Sequence, residues 1–207
     1  MPLKQLRWVL VILVLALANS AKADTVTVDG SYSFPSNDYG IPPYGGTLNS
    51  QSASFYCVDF THEITGGMSW NVTITSLTGS DFSSTRLWPT LGSGTQTAYL
   101  EMAYLITQMM GSTSQLQKAE DQFAIWSFTG GPNPYGTNSA IVAAALAAVQ
   151  AGFSGQGFEI LTPTGSVGQE FLVHVPEPGA LLLLVIGLVL MGLTMRKGRL
   201  LLHKPTS

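Results

Sequence analysis

The chain predicts an α+β fold, a β-rich layer with an inserted helical subdomain, bracketed by an N-terminal signal peptide and one C-terminal transmembrane helix. Three observations carry this. Apolar residues alternate with polar ones in Asp24–Asp29, β-branched and aromatic runs follow, and from Gln96 the spacing changes to three and four. Strand-like runs then return at Gly157.

In DTVTVDGSYSF, Val26 and Val28 alternate with Thr25, Thr27 and Asp29, which reads as a strand. SNDYGIPPYGGTLNS is dense in Gly, Pro and Asn and reads as a loop. ASFYCVDFTHE and MSWNVTITSL are separated by Gly66-Gly67 and read as a hairpin. QTAYLEMAYLITQMM places Ala98, Leu105 and Met109, with Met102 and Ile106, at helical spacing before Gly111. SQLQKAEDQFAIWSFT is a second helix, closed by Gly130-Gly131-Pro132. NSAIVAAALAAVQAGF is a third, with Asn138 or Ser139 as its N-cap and Gly152 as its stop. GFEILTP and GQEFLVHV read as closing strands, and there is no internal repeat.

The two ends are addresses. Lys4 and Arg7 precede the apolar run WVLVILVLALA, and Ala21-Lys22-Ala23 supplies the small residues at Ala21 and Ala23 that signal peptidase requires. Residues 1–23 therefore read as a signal peptide; the run is short for a permanent span. At the other end Gly179 to Met195 is uncharged, and Arg196, Lys197 and Arg199 follow at once. At 1.5 Å per residue this span covers roughly 25 Å, enough for a thin bilayer. The basic cluster holds its end in the cytoplasm, so residues 24–175 are expected outside it, tethered at first to the inner membrane.

Pro176, Glu177 and Pro178, then the apolar span, then the basic cluster, resemble the PEP-CTERM sorting signal of Gram-negative bacteria, so residues 176–207 read as that signal. The same tail is also called an ice-binding protein C-terminal domain, a label that implies no ice chemistry. The resemblance implies recognition and removal by an exosortase, a membrane protease, and delivery to the cell surface or extracellular matrix.

Charge excludes one class. Of nine basic residues, seven lie in the address segments, leaving Arg86 and Lys118 against all twelve acids between Asp24 and Pro178, so 2 − 12 = −10. A domain that acidic has no phosphate-contacting surface, so nucleic acid is not a partner. Trp70, Trp88, Trp126 and many Tyr and Phe residues supply core material that a disordered segment lacks.

The chain has one cysteine, Cys57, in SASFYCVDFTHE, and so no partner for a disulfide. Strand alternation groups Tyr56, Val58 and Phe60 on a core face and Phe55, Cys57 and Asp59 on a mixed face under the helices. A lone cysteine there is most simply a small core residue. On the second helix Leu116, Ala119, Phe123 and Trp126 form the buried stripe, and Gln122 lies on the same side. Helix geometry alone favours Gln122 at the stripe's edge with its amide reaching water.

Together, YCVD and QFAIW, with AYLEMAYLI between them, resemble the signature motifs of bacterial surface thioester domains over roughly residues 50–130. The resemblance implies an internal thioester between Cys57 and Gln122, open to attack by an amine such as a lysine on a target protein. Phe55, Tyr56, Phe123 and Trp126 flank the partners and would shield the bond from water. A thioester would also cap the thiol in an oxidising compartment. It implies no cofactor and a role in adhesion or matrix anchoring.

An enzyme's constellation is not read from the residues. Cys57 and His62 are expected on opposite faces of a strand, and nothing brings His174 to Cys57. Three dispersed histidines give no transition-metal spacing; Asp29, Asn37, Asp38 and Asp81 are loop residues sooner than calcium ligands. The alternative function is a structural matrix protein, associated with exopolysaccharide, in which Cys57 is plain core.

Overall fold

A computed structural model describes residues 23–175. The apolar run of the signal peptide and the sorting signal at 176–207, with its span, lie outside the described residues. No helix among the described residues is long and apolar enough to cross a membrane.

The fold is α+β. Six strands close a barrel: β1 (Asp24–Val28), β4 (Tyr44–Leu48), β5 (Gln51–Cys57), β8 (Phe171–His174), β7 (Phe158–Pro163) and β6 (Ser69–Ser76), in that order around it. A small hairpin, β2 (Phe34–Ser36) with β3 (Tyr39–Ile41), stands apart from the barrel sheet. Between β6 and β7 the chain forms a short helix α1 (Trp88–Leu91) and the three long helices α2 (Thr95–Gly111), α3 (Gln115–Ser127) and α4 (Asn138–Gln150), which pack on one another.

Two expectations are corrected here. The segment read as a loop holds β2, β3 and β4, because two asparagines start tight turns. Asn37 and Asp38 have φ of 48° and 68°, and Asn49 and Ser50 have φ of 53° and 66°. Paired positive φ is the two-residue hairpin geometry that matches strand twist. Accordingly Ser36 faces Tyr39 across the first turn and Leu48 faces Gln51 across the second. The second correction concerns pairing. β5 and β6 do not form a hairpin: β5 pairs with β4 and β8, and β6 with β1 and β7. Gly46 permits the close approach of β4 to β1, since a Cβ there would stand 2.1 Å from the Thr27 carbonyl oxygen.

The two faces of β5 are the reverse of the expected ones. Cys57 lies opposite Phe171 and Phe55 opposite Val173. Phe55 stacks on Phe171 at 5.2 Å, and Phe171 meets Trp70 at 5.8 Å, so this face fills the barrel. Tyr56 instead lies beside Met109 and Met110 at the end of α2. Both faces of the strand end are buried, one by the barrel and one by the helical layer, so alternation carried no polarity to read.

The helices begin and end close to where their periodicity predicts. Ser114 caps α3, its hydroxyl accepting from the Gln117 N–H at 3.3 Å. Leu116, expected in the α3 stripe, is exposed, while Ala119, Gln122, Phe123 and Trp126 are buried. Neither Asn138 nor Ser139 is the N-cap of α4; Thr137 occupies that position without a side-chain bond. The Asn138 amide donates to the main-chain oxygens of Phe123 (3.0 Å) and Pro132 (3.2 Å), tying α4 to the end of α3.

Candidate functional site

Cys57 ends β5, and Gln122 sits in the middle of α3. Both are fully buried, at 0% exposure. The Gln122 Nε2 donates to the Cys57 main-chain oxygen at 2.8 Å, which pins helix to strand across 65 residues of sequence. Gln122 Oε1 has no partner. Helix geometry alone favours an amide that reaches water; in the fold the Gln122 amide is buried on the Cys57 carbonyl instead. A second tie lies alongside: Thr129 Oγ1 accepts from the Phe60 N–H at 3.0 Å and sits 3.2 Å from the Trp126 oxygen.

The Cys57 thiol donates to the Asp59 main-chain oxygen at 3.2 Å. Burial pushes the thiol up to about 12, and the nearby Trp126 indole N–H opposes that rise without completing a hydrogen bond in this state. At neutral pH the sulfur is a protonated thiol, inert to outside electrophiles.

Of the four expected shielding residues, Phe123 and Trp126 meet edge to face at 5.2 Å over this pair of elements. Phe55 and Tyr56 lie with the barrel interior and with α2, as described above. Their place in the aromatic cluster is taken by Tyr39 and Phe60. Tyr39 contacts Phe60 at 5.4 Å, Trp126 at 5.7 Å and Phe123 at 5.9 Å. Phe60 contacts Trp126 at 5.5 Å. Neither was legible as a site residue, because Tyr39 comes from the unrecognised β2–β3 hairpin and Phe60 lies past the end of β5.

A polar network adjoins the pair. Asp59 is buried, its Oδ1 accepting from the Thr61 N–H (3.0 Å) and hydroxyl (2.6 Å). Its Oδ2 meets the Arg86 guanidinium and lies 2.8 Å from His62 Nδ1. Arg86 also contacts the His62 ring and donates to the Gly168 oxygen at 2.8 Å. Gly168 has φ of 99°, and a Cβ there would stand 2.6 Å from the Trp70 ring. Glu170 accepts from Thr162 Oγ1 (2.6 Å), the Arg86 N–H (3.0 Å) and the Tyr99 hydroxyl. Burial raises the Glu170 carboxyl, and those donors pull it back. Arg86, one of the two Lys and Arg residues between Asp24 and Pro178, thus serves two buried carboxylates. His62 is engaged with Asp59 and Arg86 at the bend after Cys57, so the expectation of one continuous strand through His62 fails.

Among the described residues no group of three or more His, Cys, Asp or Glu is arranged to hold a metal ion. Asp29 and Asp81 instead accept from the main-chain N–H groups two residues ahead, at 2.8 and 2.9 Å.

No family model matches the chain, and no curated protein matches it. Among solved structures it is similar to the N-terminal thioester domain of a surface protein from Clostridium perfringens, with 13% identity over 73% of this chain and 97% of that one, at a TM-score of 0.38.

Proposed function

We propose that the protein is an exported surface protein that attaches covalently to amines through a Cys57–Gln122 thioester. The observation that carries this is the pairing itself. The chain's one cysteine and a side-chain amide are both fully buried, and the amide Nε2 of Gln122 donates to the Cys57 main-chain oxygen at 2.8 Å, which places the two residues side by side. Thioester formation requires the Gln122 Nε2 to leave the Cys57 main-chain oxygen and the thiol to leave the Asp59 oxygen, so that Sγ and Cδ meet. Attack of Sγ on Cδ forms the thioester, and the thiol proton leaves with the amide nitrogen as ammonia. Burial then keeps water from the acyl carbon.

In the second step a free amine attacks Gln122 Cδ, the C–S bond breaks, and the Cys57 sulfur takes the amine's proton. The high pKa of the buried thiol favours that proton transfer and disfavours reversal. The acyl group stays on the chain, so the reaction is single-turnover attachment and not enzymatic turnover. Signal peptidase, an exosortase-type protease and transient anchoring in the inner membrane would bring the domain to the surface or matrix.

The test is the intact mass of the exported protein with and without methylamine. A mass one ammonia below that calculated, raised by methylamine and unchanged by it in Cys57→Ala and Gln122→Ala, is the expected result. The calculated mass with a titratable thiol would leave Cys57 a core residue of a matrix protein.

A further inference from the structure

The outer side of the Tyr39–Phe60–Trp126 cluster forms one wall of an open cleft of about 560 Å³. His62, engaged with Asp59 and Arg86, lies in its lining. Asp38 and Glu63 line it, and no lysine or arginine does. Arg86 is turned away onto Asp59 and Gly168. Gln169 also lines it and is only 8% exposed. Its Nε2 donates to the main-chain oxygens of Asp59 (3.2 Å) and His62. That fixes the amide, and its Oε1 is left without a donor. An orphaned buried acceptor costs about 1–3 kcal/mol until something donates to it.

The cleft therefore offers π faces and carboxylates with no lysine or arginine, and the unpaired Gln169 carbonyl lies buried in its wall. Each of these features suits a ligand that is positively charged, carries N–H donors and has an alkyl stem. Trp126 connects this cleft to the reactive pair, since it lines the cleft and follows Gln122 by one turn of α3.

Resting on the thioester reading, we propose that this cleft seats the incoming nucleophile and selects a cationic alkylamine, a lysine side chain or a polyamine, over neutral and anionic amines. The cleft concentrates the ammonium form beside Trp126. A nitrogen that has released its proton to water attacks Gln122 Cδ, the C–S bond breaks, and Cys57 Sγ takes the second proton. Asp38 and Glu63 are solvated, so the preference weakens as salt rises.

Two measurements on the purified exported protein separate this proposal from the one it rests on. The first uses Cys57→Ala, which has no thioester, titrated with cadaverine and with 6-aminohexanoate while Trp fluorescence or NMR is followed. Saturable binding of cadaverine, about tenfold tighter than that of 6-aminohexanoate, is expected, and Asp38→Asn with Glu63→Gln should abolish the difference. Equal binding of the two, or binding of neither, overturns the cleft assignment. The second follows thioester loss by mass in the wild-type chain. Here cadaverine should react about tenfold faster than 6-aminohexanoate at low salt, and the gap should close in the double variant. A thioester that reacts equally with both sinks the cleft and spares the thioester. A chain that has no thioester yet binds cadaverine in the first test sinks the attachment and spares the cleft. A capped lysine peptide and spermidine, run side by side, tell a protein target from a free polyamine. Faster reaction with either supports the assignment, and reaction with neither above a neutral amine overturns it.

Discussion

Gln122 and Cys57 are joined by a 2.8 Å hydrogen bond from the glutamine Nε2 to the cysteine main-chain oxygen, and neither residue is exposed. A helix dense in polar side chains is thereby docked onto the end of a barrel strand through an amide. The contact is shut off from bulk solvent, so loss of the bond is not made good by exposure to it.

Gln122→Ala removes the donor, leaves the Cys57 carbonyl unpaired and opens a void, so it should destabilise by about 2–4 kcal/mol. Gln122→Met refills the volume without the donor and should recover part of this. Urea midpoints at constant m-value are the readout; an alanine variant as stable as wild type would show that the amide is not a structural pin.

Arg86→Met strands Asp59, which is 1% exposed, without its guanidinium. The expected cost is about 3 kcal/mol or more, because a buried carboxylate is left uncompensated. Adding Asp59→Asn should restore a sizeable share. Additive losses in this double-mutant cycle would mean the two residues do not interact.

Asn138→Ala breaks two bonds that hold α4 to the end of α3 and should cost about 1–3 kcal/mol. The loss should be local. Hydrogen exchange of the α4 amides is expected to accelerate while that of β6 and β7 does not.

Asp121 contributes a distinct pH dependence. Burial pushes its carboxyl up to about 6 from 3.8, opposed by the Gln117 amide at 2.9 Å. Between those values the folded state holds a proton that the unfolded chain has lost, so the stability this group contributes is full below about pH 4 and is lost as pH rises through about 6. Asp121→Asn should flatten that slope and stabilise at pH 7 by about 1–2 kcal/mol. Thermal melts from pH 4 to pH 8 would reveal it, and an unchanged slope would assign the titration elsewhere.

Trp126 is the aromatic that both lines the cleft and covers the pair. With a thioester in place, Trp126→Ala should let water in and speed its hydrolysis about tenfold or more, while Trp126→Phe should keep much of the protection. The time course of mass gain after purification measures this. Equal lifetimes in the two variants would remove the indole from the shield.

Much of the fold was legible because local periodicity is a property of neighbouring residues. Val26 and Val28, the apolar spacing of α2, and FEILTP each announce their element without knowing their partner. The β2–β3 hairpin and β4 were not, because three- to five-residue strands containing Pro35, Gly40, Gly45 and Gly46 carry little alternation. Their turn residues, Asn37-Asp38 and Asn49-Ser50, were the signal that could have found them. Cys57 and Gln122 were singled out by motif resemblance, while Tyr39, Arg86, Glu170 and Gln169 carried no motif and were missed.

The sequence by itself determined where helices and several strands form, how the charge is distributed, and that there is one cysteine, Cys57. Only the tertiary structure decided that β5 pairs with β4 and β8, that Tyr56 faces the helices and Phe55 the barrel, and that the Gln122 amide meets Cys57 instead of water. The physical reason is range. Hydrophobic period and turn preference act over a few residues, whereas barrel closure and buried hydrogen bonding join residues far apart in sequence, 48 for Asp24 and Val72 and 65 for Gln122 and Cys57, and those are settled by which whole arrangement leaves the fewest polar groups unpaired.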